Sequence, residues 1–145
     1  MKLSTRSRYG TRMLVDIARH QSDGPVQIGE ISKRQGISVK YLEQLMLPLK
    51  KAKLVLSMRG PKGGHLLAEN PEHLTLGQIV RLLEPQIDPV ECIGHPDKCP
   101  MSDECQTRWA WREAIKVFFE KLDSITIAEL ADRSYKTRCE KGDHK

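Results

Sequence analysis

Five consecutive residues, Gly60-Pro61-Lys62-Gly63-Gly64, leave the middle of this chain little choice of local structure. Proline fixes one backbone dihedral and glycine opens those that other residues avoid, so the run specifies a tight reversal. Short strand-like runs flank it, Leu54 to Arg59 and His65 to Ala68, and the three pieces together predict a two-stranded hairpin. The residues before the hairpin have helical period. Gly29 to Gln35 predicts a short helix anchored by Ile28 and Ile31, Gly36 permits a left-handed stop, and Ser38 is the expected N-cap of a second helix from Val39 to about Ala52. That second helix turns Leu42, Leu45, Met46 and Leu49 inward and leaves Lys40, Tyr41, Glu43, Gln44 and Lys51 nearer the surface. Pro48 lacks a backbone donor and crowds the carbonyl of Gln44, so a kink or loosening is expected in the last turn.

Further helices bracket this unit. Tyr9, Met13 and Ile17, with Leu14 and Ala18, predict an amphipathic helix from Ser7 to His20, ended by Gln21-Ser22-Asp23-Gly24-Pro25. A short helix is expected around Gly77 to Leu83, stopped at Glu84-Pro85. Residues 85–104 hold Pro85, Pro89, Pro96, Pro100 and Gly94 without apolar periodicity and read as a long loop. From about Asp103 to Asp123 a long helix is predicted, with Trp111, Ile115, Phe118, Leu122 and Ile125 forming a seam suited to pairing with another helix. Thr126-Ile127-Ala128-Glu129 matches a capping box restarting a helix through Ala131, and the charged tail is expected to be mobile. The expected class is mostly α with a small two-stranded β-wing: a winged helix-turn-helix plus a long C-terminal dimerisation helix. The division drawn is 1–84 for DNA binding, 85–104 for the cysteine-rich loop, 105–132 for the dimerisation and terminal helices, and 133–145 for the tail.

Charge points to the partner. The chain has 145 residues and net charge +5, but residues 1–65 carry 13 Lys or Arg against 4 Asp or Glu, whereas residues 66–145 carry 11 against 15. A basic half attracts a polyanion and displaces its counterions. The second helix of a helix-turn-helix enters the DNA major groove by its N-terminal residues, which makes Ser38, Val39, Lys40, Tyr41, Glu43 and Gln44 the candidate contacts. Glu43 can accept from a cytosine amino group and Gln44 can pair with adenine, while Arg59, Gly60, Pro61 and Lys62 at the wing face the minor groove or the backbone. No nucleophile-base pair or phosphate loop appears, and the glycine run lacks the strand-to-helix setting of a nucleotide site, so an enzyme is not expected. The N-terminus lacks the apolar stretch of a signal peptide and no run approaches a membrane span, so a cytoplasmic protein is expected.

Cys92-x6-Cys99-x5-Cys105 places three thiols within fourteen residues. Soft thiolates select zinc, cuprous ion or iron-sulfur clusters, but a structural zinc site usually takes four ligands and often a Cys-x2-Cys knuckle, both missing here. Cys139 in the tail reads as a bystander or as a redox-sensitive surface thiol.

Leu3-Ser4-Thr5, Arg8-Tyr9, Ile37-Ser38 with Tyr41-Leu42-Glu43-Gln44-Leu45, Leu54-Val55, Arg59 through Gly64, and Thr75-Leu76-Gly77 with Ile79-Val80 resemble the Rrf-type winged-helix regulators. Together with the cysteine spacing they resemble the IscR- and NsrR-like iron-sulfur branch. The resemblance runs from Met1 to about Ala131. It implies a homodimer on a pseudo-palindromic DNA operator, Glu43 reading a base, Arg59 in the minor groove, and Cys92, Cys99 and Cys105 holding an iron-sulfur cluster, [2Fe-2S] ahead of [4Fe-4S]. The signal would be cluster supply, oxygen or redox state, or nitric oxide. A metal-free or zinc-stabilised regulator answering a protein or small molecule, as cysteine-metabolism members of the family do, is the alternative. The chain departs from the family in four places: Lys53 stands where glycine is usual, Pro48 is unexpected, and Arg108 and Arg8 stand where other members supply a histidine or a carboxylate ligand. The fourth ligand then falls to His95, Asp16 or Asp103, a residue of a second subunit, or a small molecule.

Overall fold

A computed structural model of the chain describes residues 2–88 and 90–133. The elements run α1 (Thr5–His20), a 3-10 turn, α2 (Ile28–Gln35), α3 (Val39–Lys51), β1 (Val55–Met58), β2 (Gly64–Leu67), α4 (Leu76–Leu83), α5 (Glu91–Gly94), a second 3-10 turn, α6 (Gln106–Asp123) and α7 (Ile127–Asp132). The mostly helical architecture with a single two-stranded antiparallel sheet among the described residues is the one expected. Val55 pairs with Leu67 and Met58 with Gly64, so the reversal spans Arg59 to Gly63.

The core gathers around α1, whose Met13, Leu14 and Ile17 are fully buried and which packs against α2, α3, α4, α7 and β2. Gly10 permits the α4 approach: a Cβ there would collide with the Leu83 side chain. From α3 the core takes Leu42, Leu45, Met46 and Leu49, from α4 Ile79 and Leu83, and from α7 Ile127. Burying each such side chain removes apolar area worth about 1.5–3 kcal/mol from water. Gly36 adopts the left-handed conformation (φ 64°, ψ 35°) between α2 and α3, and Ser38 accepts the Tyr41 backbone N–H at 3.3 Å, so the turn and cap follow the sequence reading.

Three expectations need correction. The helix of α1 starts at Thr5, because Ser4 caps it by accepting from the Arg6 N–H. Residues 85–104 are not featureless: α5 and the turn at Pro96–Lys98 fold the segment locally. The long helix begins at Gln106, not Asp103, since the Ser102 carbonyl is taken at 3.1 Å by the Arg108 guanidinium and Cys105 serves as N-cap. The helical assignment of α3 continues through Pro48 to Lys51, and the Gln44 residue whose carbonyl loses its partner is solvent-exposed, where water can replace the bond. The tail from Ser134 onward, with Cys139, lies outside the described residues.

Two capping boxes stand side by side at the far end. Thr75 pairs with Gln78 and Thr126 with Glu129, and Thr75 and Thr126 form an antiparallel bridge in which Leu76 N–H donates to the Ile125 carbonyl and Ile127 N–H to the Leu74 carbonyl, both at 2.8 Å. The starts of α4 and α7 are thereby fixed together.

Candidate nucleic-acid interface and cysteine segment

The outward face of α3 carries Lys40, Glu43 and Gln44, all exposed, with Val39 38% exposed at the helix start. Their positions share one side of the helix because its other side is held in the core by Leu42, Leu45, Met46 and Leu49. Tyr41 turns toward α1. It is half-buried, its hydroxyl lies 3.2 Å from Thr5 Oγ1, and its ring meets Tyr9 edge-on at 6.1 Å. The guanidinium groups of Arg8 and Arg12 stand 5.9 and 5.4 Å from the Tyr9 ring centroid, so α1 brings positive charge beside α3.

At the wing, Arg59, Gly60, Pro61 and Lys62 are exposed at the hairpin tip. Gly60 has φ 109° and its carbonyl accepts the Gly63 N–H at 2.9 Å, a geometry that side chains resist. The wing is set against the body by a bridge in which Val26 and His65 exchange N–H to carbonyl bonds of 2.9 and 2.8 Å.

Two polar clasps, neither anticipated from the sequence, orient this unit. Asp16, 2% exposed on α1, accepts three bonds of 2.6–3.2 Å from the Arg34 guanidinium and one of 2.8 Å from Gln35 Nε2, locking α2 to α1. Glu84, the C-cap of α4, accepts from Ser4 N–H, Ser4 Oγ and Ser7 Oγ at 2.6–2.7 Å. Burial pushes the Glu84 carboxyl up, but the bonds from Ser7 and Ser4 and the charge of Arg6 outweigh it and hold the group below its ordinary range. Hydrophobic periodicity carries no trace of such contacts; an acid on the otherwise apolar face of α1 was the available signal for the first.

The cysteines lie on one short stretch: Cys92 in α5, Cys99 closing the second 3-10 turn and Cys105 capping α6, all half-buried. Arg108 ties the stretch together, its Nε donating to the Cys92 carbonyl at 2.8 Å and its Nη1 to that of Ser102. The Thr107 hydroxyl, 3.2 Å from the Cys105 sulfur, is the main influence lowering that thiol's pKa, with the Arg108 backbone N–H next. Among the described residues no three His, Cys, Asp or Glu side chains are gathered as a metal site. In type the donors fit a thiophilic centre: three soft sulfurs on a single segment.

A helix-turn-helix followed directly by a two-stranded wing on the basic half of the chain defines a winged-helix, DNA-binding transcriptional regulator. The chain belongs to the Rrf2 family, whose profile, described as "Iron-dependent Transcriptional regulator", matches residues 3–133. It is 50% identical over 130 residues to the protein rrf2 of Nitratidesulfovibrio vulgaris, covering 90% of this chain and 87% of that one. Among solved structures it is similar to IscR of T. potens (37% identity, TM-score 0.72, 90% and 85% of the two chains). It is also similar to CymR, the global cysteine regulator of B. subtilis (38% identity, TM-score 0.69, 90% and 96%). No helix among the described residues is long and apolar enough to cross a membrane.

Proposed function

We propose that this regulator binds a pseudo-palindromic DNA operator as a homodimer and that an iron-sulfur cluster held by Cys92, Cys99 and Cys105 governs the binding. The single observation that carries the cluster reading is the placement of three half-buried thiols on one locally folded segment between α4 and α6. When bound, the cluster supplies a redox- and nitric-oxide-reactive centre whose gain or loss can be sensed. The chain's own part is to carry the donors on α5, the following turn and the α6 cap, and to brace that stretch through Arg108. Arg108 has no lone pair to offer iron, so the fourth ligand comes from elsewhere.

Base reading falls to Glu43 and Gln44, with Ser38, Val39, Lys40 and Tyr41 around them, while Arg59, Gly60, Pro61 and Lys62 meet the adjacent groove or backbone. Dimerisation is supported by α6, which has 18 residues and none buried in the single chain, with Trp109, Trp111 and Val117 50–68% exposed. An open groove whose lining includes Val15, Val80 and Leu122 together with Arg8 and Arg12 reaches α6, and the acidic Glu113 and Glu120 of α6 on a second copy complement its charge.

Anaerobic purification tests the cluster. The full chain should be brown, with iron, sulfide and visible absorbance, and Cys92→Ala should lose the colour while keeping its helical circular dichroism. A colourless, iron-free protein from a cluster-competent host would favour the second reading, a metal-free regulator answering a protein or small-molecule partner. That reading has its own support in the likeness to CymR and in the ungathered sulfurs.

A further inference from the structure

Leu47 is 67% exposed on α3. A single exposed leucine is ordinary on a protein surface; its position on this helix is what carries information. At 3.6 residues per turn it falls about 20° from Lys40 around the helix axis and between Glu43 and Gln44, at the middle of the stripe that ends in Lys51. It stands about 6 Å along the axis from Glu43, away from the helix start. The opposite face supplies the core with Leu42, Leu45, Met46 and Leu49, so Leu47 is no misplaced core residue. Apart from Val39 at the helix start, every other exposed side chain of that face is polar or charged.

In the major groove the base edges present donors and acceptors, and one apolar group, the C5-methyl of thymine. Leucine offers no hydrogen bond and can answer only that group. We propose that Leu47 is a specificity-determining residue that packs on a thymine methyl beyond the base or bases met by Glu43 and Gln44. This rests on α3 being the base-reading helix. Removing one methyl from water is worth a factor of about four in affinity for each half-site.

The test uses the full-length chain, isolated anaerobically, and duplexes it selects from a randomised pool. Each half-site thymine is replaced in turn by deoxyuridine, which removes the methyl and leaves every hydrogen-bonding group. The wild-type chain should weaken about four-fold at one thymine per half-site. Leu47→Ser, which alters an exposed side chain and should leave the urea midpoint unchanged, should bind the thymine and uracil duplexes equally at that position. Glu43→Ala should keep the methyl sensitivity and lose discrimination at a different, cytosine-containing position. Uracil tolerance at every thymine, a consensus without thymine in the half-site, or undiminished methyl sensitivity in Leu47→Ser would each overturn the proposal and leave base reading by Glu43 standing. A pool that yields no sequence preference overturns both.

Discussion

Lys53 is the one non-glycine residue with positive φ (58°) among the described residues, and it closes α3. Its N–H donates to the Lys50 carbonyl and the Leu54 N–H reaches back to the Leu49 carbonyl, both at 2.9 Å, the paired bonds of a Schellman cap. The residue at such a position sits in the left-handed region, which costs an L side chain about 1–2 kcal/mol and glycine almost nothing. The chain thus keeps the cap that glycine usually makes and accepts the strain. Lys53→Gly should raise the urea midpoint by the equivalent of about 0.5–1 kcal/mol, once glycine's greater freedom in the unfolded chain is subtracted. Lys53→Val, β-branched, should lower it by about 1 kcal/mol or more. A glycine variant less stable than wild type would mean that the lysine side chain contributes more than its backbone costs.

At the scale of elements, the clasp of Glu84 on Ser4 and Ser7 joins the start of α1 to the end of α4, where the chain leaves for the cysteine segment. A carboxyl whose folded pKa is depressed stabilises the fold above its unfolded value, 4.5 for this group, and loses that contribution as pH falls through the folded value. Glu84→Gln should therefore cost about 1–2 kcal/mol at pH 7, and urea titrations should show the gap to wild type closing as pH drops below about 4. A gap that persists unchanged at pH 3 would assign the loss to packing. Asp123, whose pKa the Arg81 hydrogen bonds lower, adds to the same acid sensitivity. The elements themselves were largely legible: apolar period gave α1, α3 and α4, Gly36 with Ser38 gave the turn, and the Thr126-Glu129 box is present in both its halves. Less was legible where local polar bonds decide the structure. The start of α1 depends on a Ser4 cap that apolar period does not register, and α5 is a single turn too short to have a period. Of the site, the sequence named the exposed stripe on α3, but not that Tyr41 braces α1, nor that Arg108 binds the backbone of the cysteine stretch. Contacts between residues distant along the chain leave no periodic mark.

For the whole molecule, the basic half holds α1 to the wing and the acidic half begins in β2, so the winged-helix part and the cysteine segment with α6 carry opposite charge. In the single chain α6 rests on α4 and α5 but has no fully buried residue, and Trp109, Trp111 and Val117 stay exposed, which is the support for the proposed dimer. Trp111→Glu, placing a charge in the proposed dimer seam, should shift sedimentation from dimer to monomer mass and weaken binding to a two-half-site operator far more than to a single half-site; an unchanged mass would move the interface elsewhere. In the proposed function, cluster and operator are coupled through this fold. The measurement for this coupling is the affinity of the anaerobically isolated chain for its selected operator, before and after exposure to nitric oxide, at one fixed salt concentration. Coupling should change the affinity by at least about ten-fold or switch the preferred operator. Equal binding to the same sequences by the cluster-loaded and cluster-free protein would contradict it.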